Sequence, residues 1–191
     1  DIRHDEMAAE MGGALRECLV AGALCNDASL RSEHGRWLIT GDPTEAALLV
    51  AARKGGLDEH TLNALLPRVD VLPFDACRQY MATAHAPDGE HILYVKGALE
   101  RLLPLCVDQL ASDGRSVPLD ASAIEHAAQA YAEQGMRVLL LARRLLPEAA
   151  PLTEAAVARL SVIGLVGMID PPRTEAMEAI TACHRAGIVV K

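Results

Sequence analysis

Residues 69–96, VDVLPFDACRQYMATAHAPDGEHILYVK, contain the pattern that decides the fold. The segments 69–73, 78–85 and 91–96 have the period-two spacing and residue types that predict β-strands. Pro87-Asp88-Gly89 separates the last two segments and is typical of a hairpin turn, with the glycine placed for positive φ. These strands are therefore expected to pair antiparallel.

Further helices and strands are predicted before and after residues 69–96. The further predicted elements are helices at 6–23, 43–54, 57–66, 98–106 and 121–134 and strands at 36–40 and 136–144. Asp42-Pro43 is a helix start, because Asp42 can cap the first turn and proline fits the first helical position. The predicted fold class is α+β, a twisted antiparallel sheet flanked by helices.

The composition changes after Pro147 and Pro151. A short helix at 153–160, a strand at 161–169, a helix at 174–186 and a final strand from Ile188 predict a β-α-β unit, whose strands would pair in parallel within a larger sheet. We place a boundary near residues 147–160, which gives domains at 1–155 and 156–191. The last residues resemble a strand cut in its middle, so the chain is expected to be a piece of a longer protein.

Composition excludes several classes of function. The chain has 191 residues, a net charge of −8 and 51% hydrophobic residues, which predicts a globular protein. Nucleic acid is not expected as a partner, because there is no basic stripe and only 3% of residues are aromatic. No membrane contact is expected, since no apolar run approaches the roughly 20 residues that span a bilayer. The five scattered cysteines, without a C-x-x-C pair, fit reduced thiols.

Common catalytic and nucleotide-binding motifs are absent from the sequence. There is no G-x-x-x-x-G-K-[ST], G-x-G-x-x-G, H-E-x-x-H or G-x-S-x-G string. The seven histidines do not pair at metal-ligand spacing and are expected on the surface. Arg143 and Arg144 are likewise expected in solvent.

Five strings occur in an order and spacing that point to one family. They are GDPTEAAL at 41–48, LPFD at 72–75, YVKGA at 94–98, GMRVL at 135–139 and GMIDPPR at 167–173. Together they resemble the cytoplasmic nucleotide-binding (N) domain of cation-transporting P-type ATPases, closest to the calcium-pump-like branch. The resemblance covers most of the chain and implies ATP or ADP as ligand.

The resemblance implies a role for each of several residues. Phe74 would stack on the adenine ring, and Glu45 would accept a hydrogen bond from the adenine amino group, which guanine lacks at that position. Lys96 and Gly97 would lie beside the nucleotide, and Arg137 would reach the β-phosphate. The residues by themselves allow plainer readings: a core phenylalanine, a strand-end lysine in solvent and a glutamate that favours the helix dipole.

The sequence departs from the calcium-pump pattern at one position. Those pumps usually carry a lysine five residues beyond the stacking phenylalanine, where this chain has Gln79, with Arg78 adjacent. A neutral amide cannot neutralise phosphate, so nucleotide affinity is expected to be weaker, or Arg78 to substitute. Asp170 lies in the hinge string, which the resemblance places near the nucleotide.

The strings that carry phosphoryl transfer in this family, D-K-T-G-T, T-G-D and G-D-G-x-N-D, do not occur here. The chain is therefore expected to bind ATP without turning it over, with Mg²⁺ acting in the full-length protein. Its other expected partners are the phosphorylation and actuator domains of the same membrane-embedded pump. The alternative is a protein-interaction or regulatory module that kept the fold and lost nucleotide binding, for which Gln79 is the main support.

Overall fold

The computed structural model describes residues 12–34, 36–87, 90–146, 151–170 and 174–190. The helices are α1 (Gly13–Leu24), α2 (Pro43–Lys54), α3 (Glu59–Leu65), α4 (Leu99–Leu102), α5 (Ala121–Glu133) and α6 (Thr174–Arg185). The strands are β1 (Ser29–Glu33), β2 (Arg36–Thr40), β3 (Arg68–Asp75), β4 (Tyr80–His85), β5 (His91–Gly97), β6 (Cys106–Leu110), β7 (Ser116–Pro118), β8 (Arg137–Leu146) and β9 (Leu160–Met168). The predicted turn residues Asp88-Gly89, the hinge residues 171–173 and the start of the first predicted helix lie outside the described residues.

A seven-stranded sheet organises the chain, with the strand order β3-β4-β5-β8-β9-β6-β7. Its neighbouring strands are antiparallel except β6 and β9, which pair in parallel. β1 and β2 form a separate antiparallel pair. With helices flanking the sheet, this confirms the predicted α+β class.

The sheet separates two apolar clusters, because successive side chains on a strand point to opposite faces. On β5, Leu93 and Val95 face one cluster, whereas Tyr94 faces the other. The first cluster also holds Leu102 and Leu160, and the second lies under α1, α2 and α3. The second face is the one that carries the polar cavity described below.

The helix that supports this cavity forms for local reasons that the sequence shows. Asp42 caps α2, accepting from the backbone N–H groups of Thr44 at 2.8 Å and Glu45 at 3.3 Å, and Pro43 occupies the first helical position. Gly56, at φ +78°, follows the helix end. The predicted bounds of this helix are confirmed.

α1 is tied to the sheet by an ion pair. Glu17 accepts hydrogen bonds from the Tyr94 hydroxyl at 3.0 Å and from the Arg143 guanidinium at 2.6 Å. Arg144 donates to the carbonyls of Ala156 and Ala158. The expectation that both arginines belong to solvent is therefore wrong, since each satisfies a group on a neighbouring segment.

Some predicted elements differ from the observed ones. The helix expected at 98–106 is one α-turn followed by a 3₁₀ turn, Leu103–Leu105, because Pro104 lacks the N–H that would continue it. β1, β6 and β7 were not predicted. The helix expected at 153–160 is only the 3₁₀ turn Glu154–Ala156.

The C-terminal β-α-β unit is not formed by the described residues. β9 pairs with β8 from Arg137↔Met168 to Arg143↔Ser161 and with β6 on its other side. Residues 188–190 are not in a strand. A strand pattern in the sequence predicts extended backbone but does not show which strand it pairs with. The partners of β9 are β8 and β6, which both belong to the seven-stranded sheet. The division into domains 1–155 and 156–191 stays a prediction.

Candidate functional site

A cavity of about 370 Å³ opens between the N-terminal end of α2 and the ends of β3, β5 and β8. Five of the predicted site residues lie in its wall: Glu45, Phe74, Lys96, Gly97 and Arg137. The other lining residues are Asp27, Asp42, Thr44, Leu48, Pro73, Met81 and Leu139. Elements distant in sequence therefore bring most of the predicted residues into one concave site.

An ion pair lies in the wall of this cavity. The Lys96 Nζ donates to Glu45 Oε1 at 2.6 Å, and Lys96 is only 6% exposed. The second carboxylate oxygen, Oε2, accepts from the backbone N–H of Asp27 at 3.1 Å. The alternative prediction, that Lys96 lies in solvent at a strand end, is therefore wrong. An ammonium has three donors, so two of them remain for other partners, ligand included.

Phe74 forms an accessible, aromatic part of the cavity wall. It lies near the end of β3, the edge strand of the sheet, and is 59% exposed. A core phenylalanine would be buried, so that reading is wrong. A planar ring exposed at the mouth of a cavity can stack on another planar ring, with a gain of about 0.5–1.5 kcal/mol beyond area burial.

Gly97 is required by the sheet itself. A Cβ at this position would lie 2.5 Å from the carbonyl oxygen of Gln79 and 2.5 Å from the Cβ of Tyr80, its partner on β4. These contacts are shorter than van der Waals distances. Close packing against β4 therefore explains this glycine without any ligand.

The positive side of the cavity is at Arg137, the first residue of β8. Its guanidinium is exposed, with Nη1 3.4 Å from the Thr44 hydroxyl at the start of α2. Hydrogen bonds from Thr44 lower the pKa of the Asp42 carboxyl, so this cap stays ionised at neutral pH. A guanidinium beside a helix N-terminus is a suitable environment for phosphate oxygens.

Three predicted residues do not line the cavity. Arg78 donates to Glu154 at 2.9 Å and to the carbonyl of Pro73 at 2.7 Å. Gln79, at φ +62°, accepts from Arg101 at 2.9 Å. Asp170 is exposed and lies outside the wall. The structure thus does not bring Arg78 to the place of the missing lysine, because its guanidinium is already engaged.

Sequence reasoning missed part of the wall. Most of the unassigned lining residues lie within the quoted strings: Asp42, Thr44, Leu48, Pro73 and Leu139. Asp27 and Met81 lie outside those strings. The signal available was the alternation of the strands, since Met81 and Lys96 are register partners on one face.

A buried histidine lies on the same face of the sheet. His85 is fully buried and donates from Nδ1 to the carbonyl of Leu66, while its Nε2 accepts from the Thr83 hydroxyl, both at 2.9 Å. Burial lowers its pKa. The expectation that all seven histidines lie on the surface is wrong for His85, because two local partners satisfy both ring nitrogens.

These observations define an α+β domain with a polar cavity at the ends of several strands of its sheet. The family described as P-type ATPase, cytoplasmic domain N, matches residues 14–175, and the chain belongs to this family. The predicted resemblance is confirmed.

Curated relatives agree with this assignment. The chain is 45% identical over 179 residues to the cation-transporting ATPase pma1 of Synechocystis, covering 93% of this chain and 20% of that protein. It is 40% identical to calcium-transporting ATPase 1 of Bacillus cereus, with coverages of 86% and 18%. For calcium-transporting ATPase 1 of Saccharomyces cerevisiae the identity is 34%, with coverages of 91% and 19%. The chain thus spans about a fifth of the length of these relatives.

Two kinds of feature are absent from the residues that the structure describes. No helix there combines the length and apolarity needed to cross a bilayer. Within the same ranges, His, Cys, Asp and Glu side chains do not gather in a group of three that could hold a metal ion.

Proposed function

We propose that this chain binds ATP or ADP in the cavity between α2 and β5 and serves as the nucleotide-binding domain of a longer cation-transporting pump. The observation that carries the proposal is the juxtaposition, in one wall, of an exposed aromatic ring, Phe74, with the Glu45–Lys96 ion pair and the Arg137 guanidinium. Family membership and the names of the relatives support it. A volume of about 370 Å³ is within the range of small-molecule sites.

The roles follow from the chemistry of each side chain. Phe74 stacks on the adenine ring, and Glu45 accepts from the adenine amino group, at a position where guanine has an oxygen. Lys96 both fixes Glu45 and offers further donors to the nucleotide. Arg137 pairs with phosphate oxygens in the bidentate geometry that a guanidinium favours.

In the longer protein, the domain presents ATP to an aspartate that lies outside residues 1–191. Mg²⁺ bound with ATP there supplies charge neutralisation of the phosphates during transfer. This chain's own residues hold and orient the nucleotide, which is the positioning part of phosphoryl transfer. The phosphorylation and actuator domains of the same protein would be the partners of this domain.

We also propose that Asp170 belongs to the hinge that leads to the following domain. β9 is paired on both sides within the main sheet and ends at Met168, just before Asp170. Asp170 then acts near the nucleotide only when the following domain is present.

Calorimetric titration with ATP, ADP and GTP tests the proposal. Three or four polar contacts and one stack must offset the cost of association, so we expect a dissociation constant of roughly 0.1–10 mM for ATP. GTP should bind more weakly. Amide NMR signals near Phe74 and Lys96 should shift during the same titration.

The alternative, an interaction or regulatory module, predicts a different result. Millimolar ATP would then release no heat and shift no amide signals around the cavity. The engaged side chains of Arg78 and Gln79 favour this alternative, because neither is free to replace the lysine of calcium pumps.

A second test concerns turnover. Asp170 is followed by two prolines rather than by Lys-Thr-Gly-Thr, so it lacks the partners that an acceptor aspartate requires. Incubation with labelled ATP and Mg²⁺ should leave no hydroxylamine-sensitive acyl phosphate on the chain. A phosphoenzyme that disappears in Asp170→Asn would contradict the binding-only role.

A further inference from the structure

Asn26 is a buried amide that immediately follows the C-cap of α1. Its Nδ2 donates to the carbonyls of Gly22 at 3.0 Å and Glu45 at 2.9 Å, and its Oδ1 accepts from the backbone N–H of Ala28 at 2.8 Å. The side chain therefore uses both of its donors and one acceptor lone pair at once. Aspartate, serine or alanine at this position would lack at least one of the two donors.

The neighbouring residue holds the other end of Glu45. The Asp27 backbone N–H donates to Glu45 Oε2, while Asn26 binds the Glu45 carbonyl. Arg68 fixes this segment from β3, donating to Asp27 Oδ1 at 2.7 Å and to the Asn26 carbonyl at 3.4 Å. Glu45 is thus held by both its main chain and its carboxylate.

We propose that Asn26 is a positioning residue that sets the preference for adenine over guanine by fixing Glu45. The proposal rests on the proposed function, in which Glu45 reads the exocyclic group of the base. A carboxylate held in place attracts the adenine amino group and repels the guanine oxygen. A carboxylate free to turn away loses both effects, so the loss falls on selectivity rather than on binding in general.

The experiment compares ATP and GTP dissociation constants for the unmodified chain, Asn26→Asp and Asn26→Ala. Asn26→Asp keeps the acceptor for Ala28 and removes both donors. We expect the ratio of GTP to ATP dissociation constants to fall roughly threefold to tenfold in both variants, with GTP binding changed less than twofold. Asn63→Ala is the matched control, because Asn63 makes the same kind of bond, to the Glu59 carbonyl at 2.8 Å, on α3 away from the cavity.

A second variant covers the case in which a change at Asn26 prevents folding. Arg68→Gln removes the hydrogen bonds from β3 to residues 26–27. It should lower the ratio of GTP to ATP dissociation constants by a smaller factor than the Asn26 variants do. Leu102→Ala, in the cluster on the other face of the sheet, controls for a loss of stability that does not involve Glu45.

Each outcome decides between the two proposals. If the unmodified chain binds neither nucleotide, the proposed function fails and the role of Asn26 fails with it. If the chain prefers ATP and the ratio survives the folded Asn26 and Arg68 variants, the positioning role is overturned while the proposed function stands. A parallel rise of both dissociation constants, which leaves their ratio unchanged, would make Asn26 purely structural and would also overturn it.

Discussion

The two faces of the seven-stranded sheet differ in chemistry although the same strands build both. The face under α4 and α5 buries apolar side chains, among them Leu93, Leu140 and Leu160. The face under α1, α2 and α3 also carries the polar residues that are buried within the described ranges: Asn26, Thr83, His85 and Lys96. Each of these polar side chains has a partner, as a buried polar group must.

The first face therefore contributes mainly to folding stability, whereas the second face carries the groups that can recognise a ligand. Apolar burial on the first face contributes free energy of folding with no geometric demand beyond packing. Polar groups on the second face contribute less net stability but fix directions in space, since each hydrogen bond requires alignment. The cavity opens on the second face, where directional contacts are already present.

The largest expected effect tests the first face. Leu160 is fully buried there, so Leu160→Ala should lower the free energy of unfolding by about 2–5 kcal/mol, measured by urea denaturation. The ATP dissociation constant should change less than about twofold under conditions where the variant is folded. A dissociation constant that rises along with the lost stability would show that the two faces are coupled.

The next effect tests the charged wall of the cavity. Lys96→Met keeps the length of the side chain and removes the ammonium, so ATP binding should weaken by about 1.5–3 kcal/mol. Titration with adenosine, which lacks phosphate, distinguishes two possible roles of Lys96. If Lys96 acts only by holding Glu45, adenosine binding weakens as much as ATP binding; if it also contacts phosphate, ATP binding weakens more. No loss for either ligand would remove Lys96 from the site.

A smaller effect is expected at the aromatic wall. Phe74→Ala should weaken ATP binding by about 1–2 kcal/mol, because a stacking surface is lost, with little change in thermal stability for a side chain so exposed. Val69→Ala is the matched control, since Val69 is also exposed on β3 but lies outside the cavity wall. A large drop in melting temperature with unchanged affinity would instead assign Phe74 to packing.

The smallest effect concerns His85 and pH. Burial lowers the folded-state pKa of His85 below its ordinary value of 6.5, so the unfolded chain binds this proton more tightly. Stability should therefore fall as the pH decreases below about 6.5, and His85→Gln should reduce that slope. Thermal melting of both proteins between pH 7.5 and 5 measures it, and identical slopes would contradict a contribution from His85.

Local signals in the sequence predicted much of this molecule. The period-two spacing predicted β3, β4 and β5, a largely apolar run predicted β8, and Asp42-Pro43 predicted the start of α2. Five short strings predicted the family and five residues of the cavity wall. These features depend on neighbours in the chain, on backbone geometry or on fixed residue types, so a single sequence displays them.

Beyond the β4–β5 hairpin, the sequence did not predict which strands pair or which side chains contact each other. The pattern of β9 showed a strand, but only the folded chain placed it between β8 and β6 rather than in a β-α-β unit. Arg78 has the charge expected of a phosphate ligand, yet Glu154, 76 residues away, engages it. The Lys96–Glu45 pair likewise joins residues 51 positions apart, and the bond from Asn26 to the Glu45 carbonyl joins residues 19 positions apart.

The sequence by itself thus determined the class of fold, the start of the helix beside the cavity and the residue types available for a nucleotide. The tertiary structure decided which of those residues share the cavity, that Lys96 is buried against Glu45 and that Gly97 is needed by the strand beside it. The physical reason is that backbone periodicity and capping are local interactions. Burial, strand partners and long-range hydrogen bonds exist only once distant segments pack together.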